Sequence, residues 1–203
     1  MEPQQADLSP SAASRPEGAS RRLWPALAVL LVVVVVVLAF LVLWSRRLRV
    51  ENSPEVIFAR AMAAHHAQAV EMALILLERT TDPELRQFVL DIILTQQAQI
   101  GQMQGWLAAW DLPLNGPQPP MTGHDVAMTG MASQAEVNEL RTLPVSDAET
   151  RFLQLMIRHH QGGVVMAEAA LRQVTHPEVT RLAQSIVDGQ QSEIEYMQEL
   201  LER

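Results

Sequence analysis

An internal repeat constrains the fold of this chain more than any other sequence feature. The motif Met-x-x-His-His at 62–66 recurs at 156–160, an offset of 94 residues. The same offset aligns Pro83 with Pro177, so the agreement runs through two successive segments without a gap. Such a match predicts that one structural unit has been duplicated and that its two copies pack together.

Helix signals dominate both copies, whereas strand signals are nearly absent. Ser53-Pro54-Glu55 and Asp82-Pro83-Glu84 each supply a capping residue, a proline and an acid where an α-helix begins. In the second copy, Ser146-Asp147-Ala148-Glu149 has the capping-box spacing and Pro177 marks the next helix start. The same spacing at 133–136 predicts a short helix before the second copy.

Two amphipathic helical hairpins bury their apolar stripes most simply by packing together as an all-α four-helix bundle. We predict that this domain spans residues 54–203, with hairpins at 54–110 and 146–203. The crossover at 111–145 is rich in proline and glycine, which disfavour regular structure over much of its length.

The segment 23–44 is uncharged and almost wholly apolar, with Trp24 and Trp44 at its ends. A helix of this length spans a hydrocarbon core of roughly 30 Å. Since basic residues at 45–53 follow it instead of a small-residue cleavage site, we predict an uncleaved transmembrane helix and a juxtamembrane linker. Residues 1–22 have the composition of a disordered tail. A cytoplasmic location for this short tail places the bundle domain outside the cytoplasm.

Composition narrows the chemistry of that domain. The chain has no cysteine, so neither disulfides nor thiolate ligands are available. From Glu51 onward, 20 Asp and Glu residues outnumber nine Arg residues, and nucleic acid is not an expected partner for such an acidic surface. No nucleophile is paired with a base in a familiar catalytic arrangement, and no phosphate-binding loop occurs. We therefore do not expect an enzyme.

Two adjacent histidines lie between two methionines in each copy. At about 100° per residue, His65, His66, Met62 and Met72 fall on one helix face, and Glu71 falls on the opposite face. A single histidine or methionine on such a face is ordinarily a core residue. Two buried pairs of histidines, however, need a partner for every ring nitrogen. Metal ligation and a hydrogen-bonded polar core would both supply such partners.

Ligand chemistry indicates which metal such a face would bind. Imidazole and thioether without thiolate suit Cu(I), whereas Cu(II) would be bound mainly by the histidines. A di-iron centre would require a Glu-x-x-His spacing, which is missing. Glu55 and Glu149 are predicted to stabilise helix starts instead. The predicted ligands are Met62, His65, His66, Met72, Met156, His159, His160 and Met166.

A second group of soft ligands lies in the crossover sequence MTGHDVAMTGM. It contains Met121, His124, Met128 and Met131. These side chains could capture a soft ion and pass it inward, or they could plug a loop folded over the bundle. Both interpretations stay open at this point.

The repeated pattern resembles the bacterial domain-of-unknown-function family 305. The family hallmark is similar to Phe-x-x-x-Met-x-x-His-His-x-x-x-x-x-Met-Ala in one helix and Gln-x-x-Glu-Ile-x-x-Met in the next. The first signature is carried by Phe58, Met62, His65, His66, Met72 and Ala73, and again by Phe152, Met156, His159, His160, Met166 and Ala167. The second is carried by Gln190, Glu193, Ile194 and Met197, and by Gln96, Gln99, Ile100 and Met103. Gln99 stands where the family pattern has Glu.

The resemblance covers about residues 54–203 and implies a ferritin-like four-helix fold, with some members associated with copper. We therefore expect a membrane-anchored, extracytoplasmic protein that sequesters or hands on copper, with Cu(I) favoured. Its expected partners are the lipid bilayer, the metal ion, and either a second copy or a membrane protein. The alternatives are a helical interaction or pH-sensing module without metal and, more remotely, a ferritin-like metal oxidoreductase.

Overall fold

Six α-helices make up the part of the chain that the computed structural model describes, residues 20–116 and 129–203. No β-strand occurs within these ranges, which confirms the predicted all-α class. The helices are α1 (Ser20–Glu51), α2 (Pro54–Leu77), α3 (Pro83–Ala109), α4 (Gln134–Thr142), α5 (Val145–Leu171) and α6 (Pro177–Leu201).

Helix α1 belongs, as far as Leu48, to a different unit from the rest of the described chain, which forms a compact unit from Arg49 to Arg203. Its segment Leu27–Trp44 has a mean hydropathy of 3.4 and no buried residue. Among the described helices, α1 alone is long and apolar enough to cross a bilayer, although a signal sequence would meet the same criterion. The helix starts at Ser20 and ends at Glu51, so it extends into segments that we predicted as tail and linker.

The starts of α2, α3 and α4 follow the capping signals in the sequence. The side chains of Ser53 and Asp82 accept backbone N–H hydrogen bonds at 3.4 and 2.9 Å, and a proline follows each of them. Ser133 and Glu136 form a complete capping box at the start of α4. These contacts satisfy N–H groups that a helix would otherwise leave without partners.

The predicted capping box at Ser146 is wrong. Helix α5 starts one residue earlier, at Val145, and its N-cap is Pro144, which makes no side-chain capping bond. Only Leu143 and Pro144 separate α4 from α5. Because the chain must turn directly from one helix into the next, the restricted backbone of Pro144 occupies the capping position.

Helices α2 and α3 form one hairpin, α5 and α6 form the other, and α2 packs against α5. Glu55, near the start of α2, accepts a hydrogen bond from the backbone N–H of Thr175, beyond the end of α5 (2.8 Å). Thr80, beyond the end of α2, donates its hydroxyl to Glu149 near the start of α5 (2.6 Å). Helices α2 and α5 therefore run antiparallel, and both acids bind the facing hairpin. Glu55 also lies in the first turn of α2, as predicted, whereas the acid in the first turn of α5 is Asp147 and not Glu149.

Helix α4 and the residues before it cover the α2–α5 face of the bundle. Arg151 and Arg158 on α5 pair with Glu136 at 3.1 and 2.8 Å. Gln68 on α2 exchanges two hydrogen bonds with the backbone of Ala132, at 2.7 and 2.8 Å. These polar contacts close that face and fix the end of the crossover on it.

A polar layer divides the core of the bundle into two apolar clusters. One cluster includes Leu76 and Ile92, and the other includes Val56 and Ile186. Between them, near the middle of all four long helices, lie the buried polar side chains His65, His66, Gln96, His159, His160 and Gln190. The predicted arrangement of two packed hairpins is confirmed, and its centre is hydrophilic.

Candidate metal centre

The four paired histidines meet in the middle of the bundle because antiparallel packing brings α2 and α5 together at their motifs. All four side chains are fully buried. The rings of His65 and His159 lie against each other, with centroids 3.8 Å apart. The centroid of His66 is 6.4 Å from that of His65, and the centroid of His160 is 6.3 Å from that of His159. The two motifs thus form one layer of imidazoles.

The second histidine of each pair is held by the other helix of its own hairpin. His66 Nε2 lies 2.7 Å from Gln99 Oε1, and His160 Nε2 lies 2.6 Å from Glu193 Oε2. Because these oxygens accept hydrogen bonds, each Nε2 carries the proton and each Nδ1 keeps a free lone pair. Metal-binding histidines are commonly held in this way, with the nitrogen that does not bind the metal donating to an oxygen.

The end of the crossover holds His65. Its Nε2 donates to the backbone carbonyl oxygen of Thr129 at 3.2 Å. Gly130 follows with a φ of +85°, and a Cβ on Gly162 would overlap that same carbonyl oxygen. Both glycines are therefore needed for this close approach. The backbone of the crossover supplies an acceptor that leaves the Nδ1 of His65 unprotonated.

Five imidazole nitrogens lack a hydrogen-bond partner among the described residues. They are Nδ1 of His65, His66 and His160, and both ring nitrogens of His159. The side-chain amides of Gln96 and Gln190, in the same layer, are also without partners. Each unpaired buried polar atom costs roughly 1–3 kcal/mol. One cation bound by several of these lone pairs would remove much of that cost.

Burial keeps His65, His66 and His159 in the form that binds metals. It lowers the pKa of His65 to about 4 and the pKa of His66 to about 3. It also lowers the pKa of His159 well below its usual value, and a charge on His65 would lower it further. A neutral imidazole has the lone pair that a metal ion requires. These rings are therefore ready to act as ligands at neutral pH.

Buried methionines border the histidine layer on both sides. The predicted ligands Met72 and Met156 belong to one apolar cluster, and Met62 and Met166 belong to the other. Met197 on α6 belongs to the first cluster, and Met103 on α3 belongs to the second. We did not predict these last two as ligands, although they occupy equivalent positions in the repeat.

Imidazoles and carboxylates alone do not complete a metal site here. Within residues 20–116 and 129–203, no three side chains among His, Asp and Glu converge closely enough to hold one ion. A metal in this layer would therefore need thioether or amide ligands beside imidazole. That mixed set agrees with the soft ligand chemistry that the sequence predicts.

The predicted crossover group falls largely beyond the part of the chain that the structure describes. Met121, His124 and Met128 lie outside the described residues. Met131 is described and is half-buried. It lies two residues after Thr129, whose carbonyl contacts His65, so this end of the crossover is close to the histidine layer.

Sequence reasoning placed the side chains that surround the histidine rings in the second family signature but did not assign them to the metal site. Gln99 and Glu193 hold rings directly, and Gln96 and Gln190 are buried in the same layer. The offset of 94 pairs Gln96 with Gln190 and Gln99 with Glu193. A polar residue that recurs at equivalent positions, one helical turn from its neighbour, is the signal that could have found them.

The family model described as a domain of unknown function, DUF305, matches residues 55–201. The chain belongs to the DUF305 family. A DUF305 protein from Streptomyces coelicolor, a candidate secreted protein, is 46% identical, with a TM-score of 0.70 over 74% of this chain and 93% of its own. A DUF305 fragment from Deinococcus radiodurans is also 46% identical, with a TM-score of 0.67 over 74% and 96%.

CopM is a further structural relative. Its Cu(II)-bound form is 28% identical, with a TM-score of 0.62 over 74% of this chain and 96% of CopM. CopM has also been solved in Cu(I)-bound and silver-bound forms. No curated protein matches the chain. These comparisons confirm the DUF305 resemblance and the helical fold, and they include a relative that binds copper.

Proposed function

We propose that this DUF305 protein binds Cu(I) in its histidine layer and sequesters the ion or hands it on at the outer side of a membrane. One observation carries the proposal: five buried imidazole nitrogens without hydrogen-bond partners lie between two groups of buried methionines. The proposed ligands are drawn from His65, His66, His159 and His160 and from Met62, Met72, Met156 and Met166.

The ligand set favours a soft monovalent ion. Neutral imidazoles and thioethers bind Cu(I) well, and the chain has no thiolate to compete with them. CopM, a relative of the same fold, has been solved with Cu(II), with Cu(I) and with Ag bound, which supports copper binding. We extend the proposal to Met121, His124, Met128 and Met131 of the crossover, which would capture ions at the domain surface.

The location of the protein is part of the proposal. Helix α1 would anchor the chain in the bilayer through Leu27–Trp44, with residues 49–203 outside the cytoplasm. The apolar helix near the N-terminus, the one of its kind among the described helices, and a structural relative described as a candidate secreted protein both support an exported domain. Export would place the histidine layer where copper is met before it enters the cell.

The pH-sensing alternative fits the geometry less well. Burial holds the pKa of His65 at about 4 and that of His66 at about 3, so both rings stay neutral across the range in which histidine sensors usually act. The oxidoreductase alternative would need several carboxylate ligands. Among the described residues, Glu193 is the one carboxylate that forms a hydrogen bond with a histidine of this layer.

Stoichiometric loading of the domain tests the proposal. Residues 49–203 are suitable material, because this portion accounts for nearly all of the two solved DUF305 chains. We expect anaerobic titration with a chromophoric Cu(I) competitor to show tight binding. Changing the four proposed methionine ligands to leucine should weaken that binding while preserving the fold, because Met and Leu have similar volumes.

A second variant completes this test. Changing His65, His66, His159 and His160 to glutamine should abolish binding in the layer. Unaltered copper affinity in both variants would place the site elsewhere, and no copper binding by the wild-type domain would overturn the proposal. Circular dichroism on each variant separates loss of ligands from loss of fold.

A further inference from the structure

A cleft of about 100 Å³ lies between the middle segments of α3 and α6, with several polar side chains in its walls. It is large enough to admit water. Only α3 and α6 contribute to its walls among the described residues. Its lining includes Thr95, Gln96, Gln99, Gly189, Gln190 and Glu193.

The cleft exists because α3 and α6 approach each other less closely than the other neighbouring long helices do. Large side chains bridge them near both ends. Phe88 packs edge-on against Tyr196, with ring centroids 4.9 Å apart, and Trp110 packs edge-on against His176 at 5.9 Å. Between these two aromatic bridges the facing side chains are smaller or polar, which leaves the middle of the bundle open.

The cleft leads directly to the histidine layer. Two of its lining residues, Gln99 and Glu193, are the hydrogen-bond partners of His66 and His160. The side chain of Glu193 is 24% exposed, whereas the ring of His160 is completely buried. Glu193 therefore touches both the solvent in the cleft and a proposed ligand, and Gln99 does the same in the other hairpin.

Two nearly buried amides lie at the inner wall of the cleft. Gln96 and Gln190 have no hydrogen-bond partner among the described residues, although each is more than nine-tenths buried. Gly163 makes room for the second of them, since a Cβ at that position would overlap the Gln190 amide oxygen. Amide oxygens in this position can replace the water that a cation loses on moving inward.

The described pocket on the α2–α5 face lies near the start of α2 and the end of α5; its lining is mainly apolar, includes Phe58 and Met166, and contains none of the buried histidines or their side-chain hydrogen-bond partners. Thr129 and Gly130 pack directly on Gly162, and α4 covers the adjoining surface. On that side, the carbonyl oxygen of Thr129 accepts a hydrogen bond from the Nε2 of His65. The cleft between α3 and α6 differs from that pocket, because its lining includes the hydrogen-bond partners of two buried histidines.

We propose that this cleft is the route by which a soft monovalent cation reaches the buried histidines, an inference that rests on the proposed function. The negative charge of Glu193 and the acidic character of the domain attract a cation to the opening. The Gln96 and Gln190 amides stand between the opening and the imidazoles. Glu193 and Gln99 turn the Nδ1 lone pairs of their histidines inward, where the ion comes to rest.

Filling the cleft tests the route. Gly189 lines it, and a Cβ there would meet no atom within 4 Å, so Gly189→Phe places a ring in the cleft without a backbone clash. Gly105→Phe is the matched control, because Gly105 also has open space and does not line the cleft. We expect the rate of Ag(I) uptake to fall by about tenfold in Gly189→Phe, a modest increase in barrier. The Ag(I) stoichiometry should stay unchanged, and Gly105→Phe should behave as wild type.

A second variant narrows the cleft from its opposite wall, which α3 forms. Thr95 is the equivalent of Gly189 in the repeat, and Thr95→Phe should slow uptake in the same way. Wild-type rates in both cleft variants, measured by stopped flow with Ag(I), would overturn the route while leaving the histidine site intact. Failure of the wild-type protein to take up Ag(I) or Cu(I) would instead overturn the proposed function.

Discussion

Glu193 and Gln99 occupy equivalent positions in the two hairpins, but they differ in charge. Each accepts a hydrogen bond from the Nε2 of a buried histidine, at 2.6 and 2.7 Å. A carboxylate polarises an imidazole more strongly than an amide does, and it raises the basicity of the opposite nitrogen. The duplicated layer is therefore asymmetric, and His160 should be a stronger ligand than His66.

Exchanging these two residues tests the asymmetry. We expect Glu193→Gln to weaken Cu(I) binding by about tenfold or more, within the range known for partners of metal-binding histidines. Gln99→Glu should strengthen binding, because it gives His66 the partner that His160 already has. Competition with a chromophoric Cu(I) chelator measures both changes.

Glu195→Gln provides the control, since Glu195 lies on the same helix and is exposed. It removes the same charge without touching a histidine. Equal affinity in Glu193→Gln and Glu195→Gln would mean that the carboxylate acts only through the overall charge of the domain.

For single residues, the sequence predicted which side chains enter the core but not which histidine ring nitrogens lack a hydrogen bond. The spacing of histidines and methionines placed all eight proposed ligands inside, because a helix face is fixed by its period. The choice between Nδ1 and Nε2 depends on acceptors from other elements, such as the Thr129 carbonyl. Tertiary contacts of this kind leave no periodic signal.

Helix α5 depends on a glycine where the crossover ends. A Cβ at Gly162 would overlap the carbonyl oxygen of Thr129 and lie 3.0 Å from the Cα of Gly130. The crossover would have to move off the helix to accommodate it. That movement would also remove the acceptor that holds His65.

Gly162→Ala is therefore expected to destabilise the domain by about 1–3 kcal/mol, the usual range for overpacking in a tight contact. Gly105→Ala, at an open helical position, should instead stabilise by up to about 1 kcal/mol. Urea unfolding followed by circular dichroism measures both free energies. Equal stability of the two variants would show that the crossover is not seated on α5.

Helix boundaries were predictable where the sequence supplies its own cap. Ser53, Asp82 and Ser133 each accept the hydrogen bond that their position implies. The start of α5 was not predictable in this way, because the two-residue connection from α4 places Pro144 at the N-cap. A capping residue determines where a helix starts only when the connection from the preceding element allows that residue to take the N-cap position.

The polar layer makes the stability of the whole domain depend on pH. Burial lowers the pKa of His65 to about 4 and that of His66 to about 3, whereas both are near 6.5 in an unfolded chain. Below pH 6.5 the unfolded chain therefore binds protons that the folded domain cannot, and the free energy of unfolding falls as the pH is lowered. The loss continues until the pH reaches the folded-state values.

Carboxylates contribute in a lower range. Hydrogen bonding by Arg158 lowers the pKa of Glu136 to about 2, so the stability that this acid contributes is lost only below its unfolded value near 4.5. The window from pH 6.5 to 5 therefore reports mainly on the buried histidines. Within it we expect a loss of about 1–2 kcal/mol for each of His65 and His66 in metal-free protein.

Thermal melts of the metal-free domain between pH 7.5 and 5, with a chelator present, measure this loss. Replacing His65 and His159 by glutamine should flatten the dependence, because two rings that resist protonation are removed. An unchanged slope in this variant would mean that the layer admits protons freely. Saturating Cu(I) should oppose the loss, since a lone pair bound to the metal is not available to a proton.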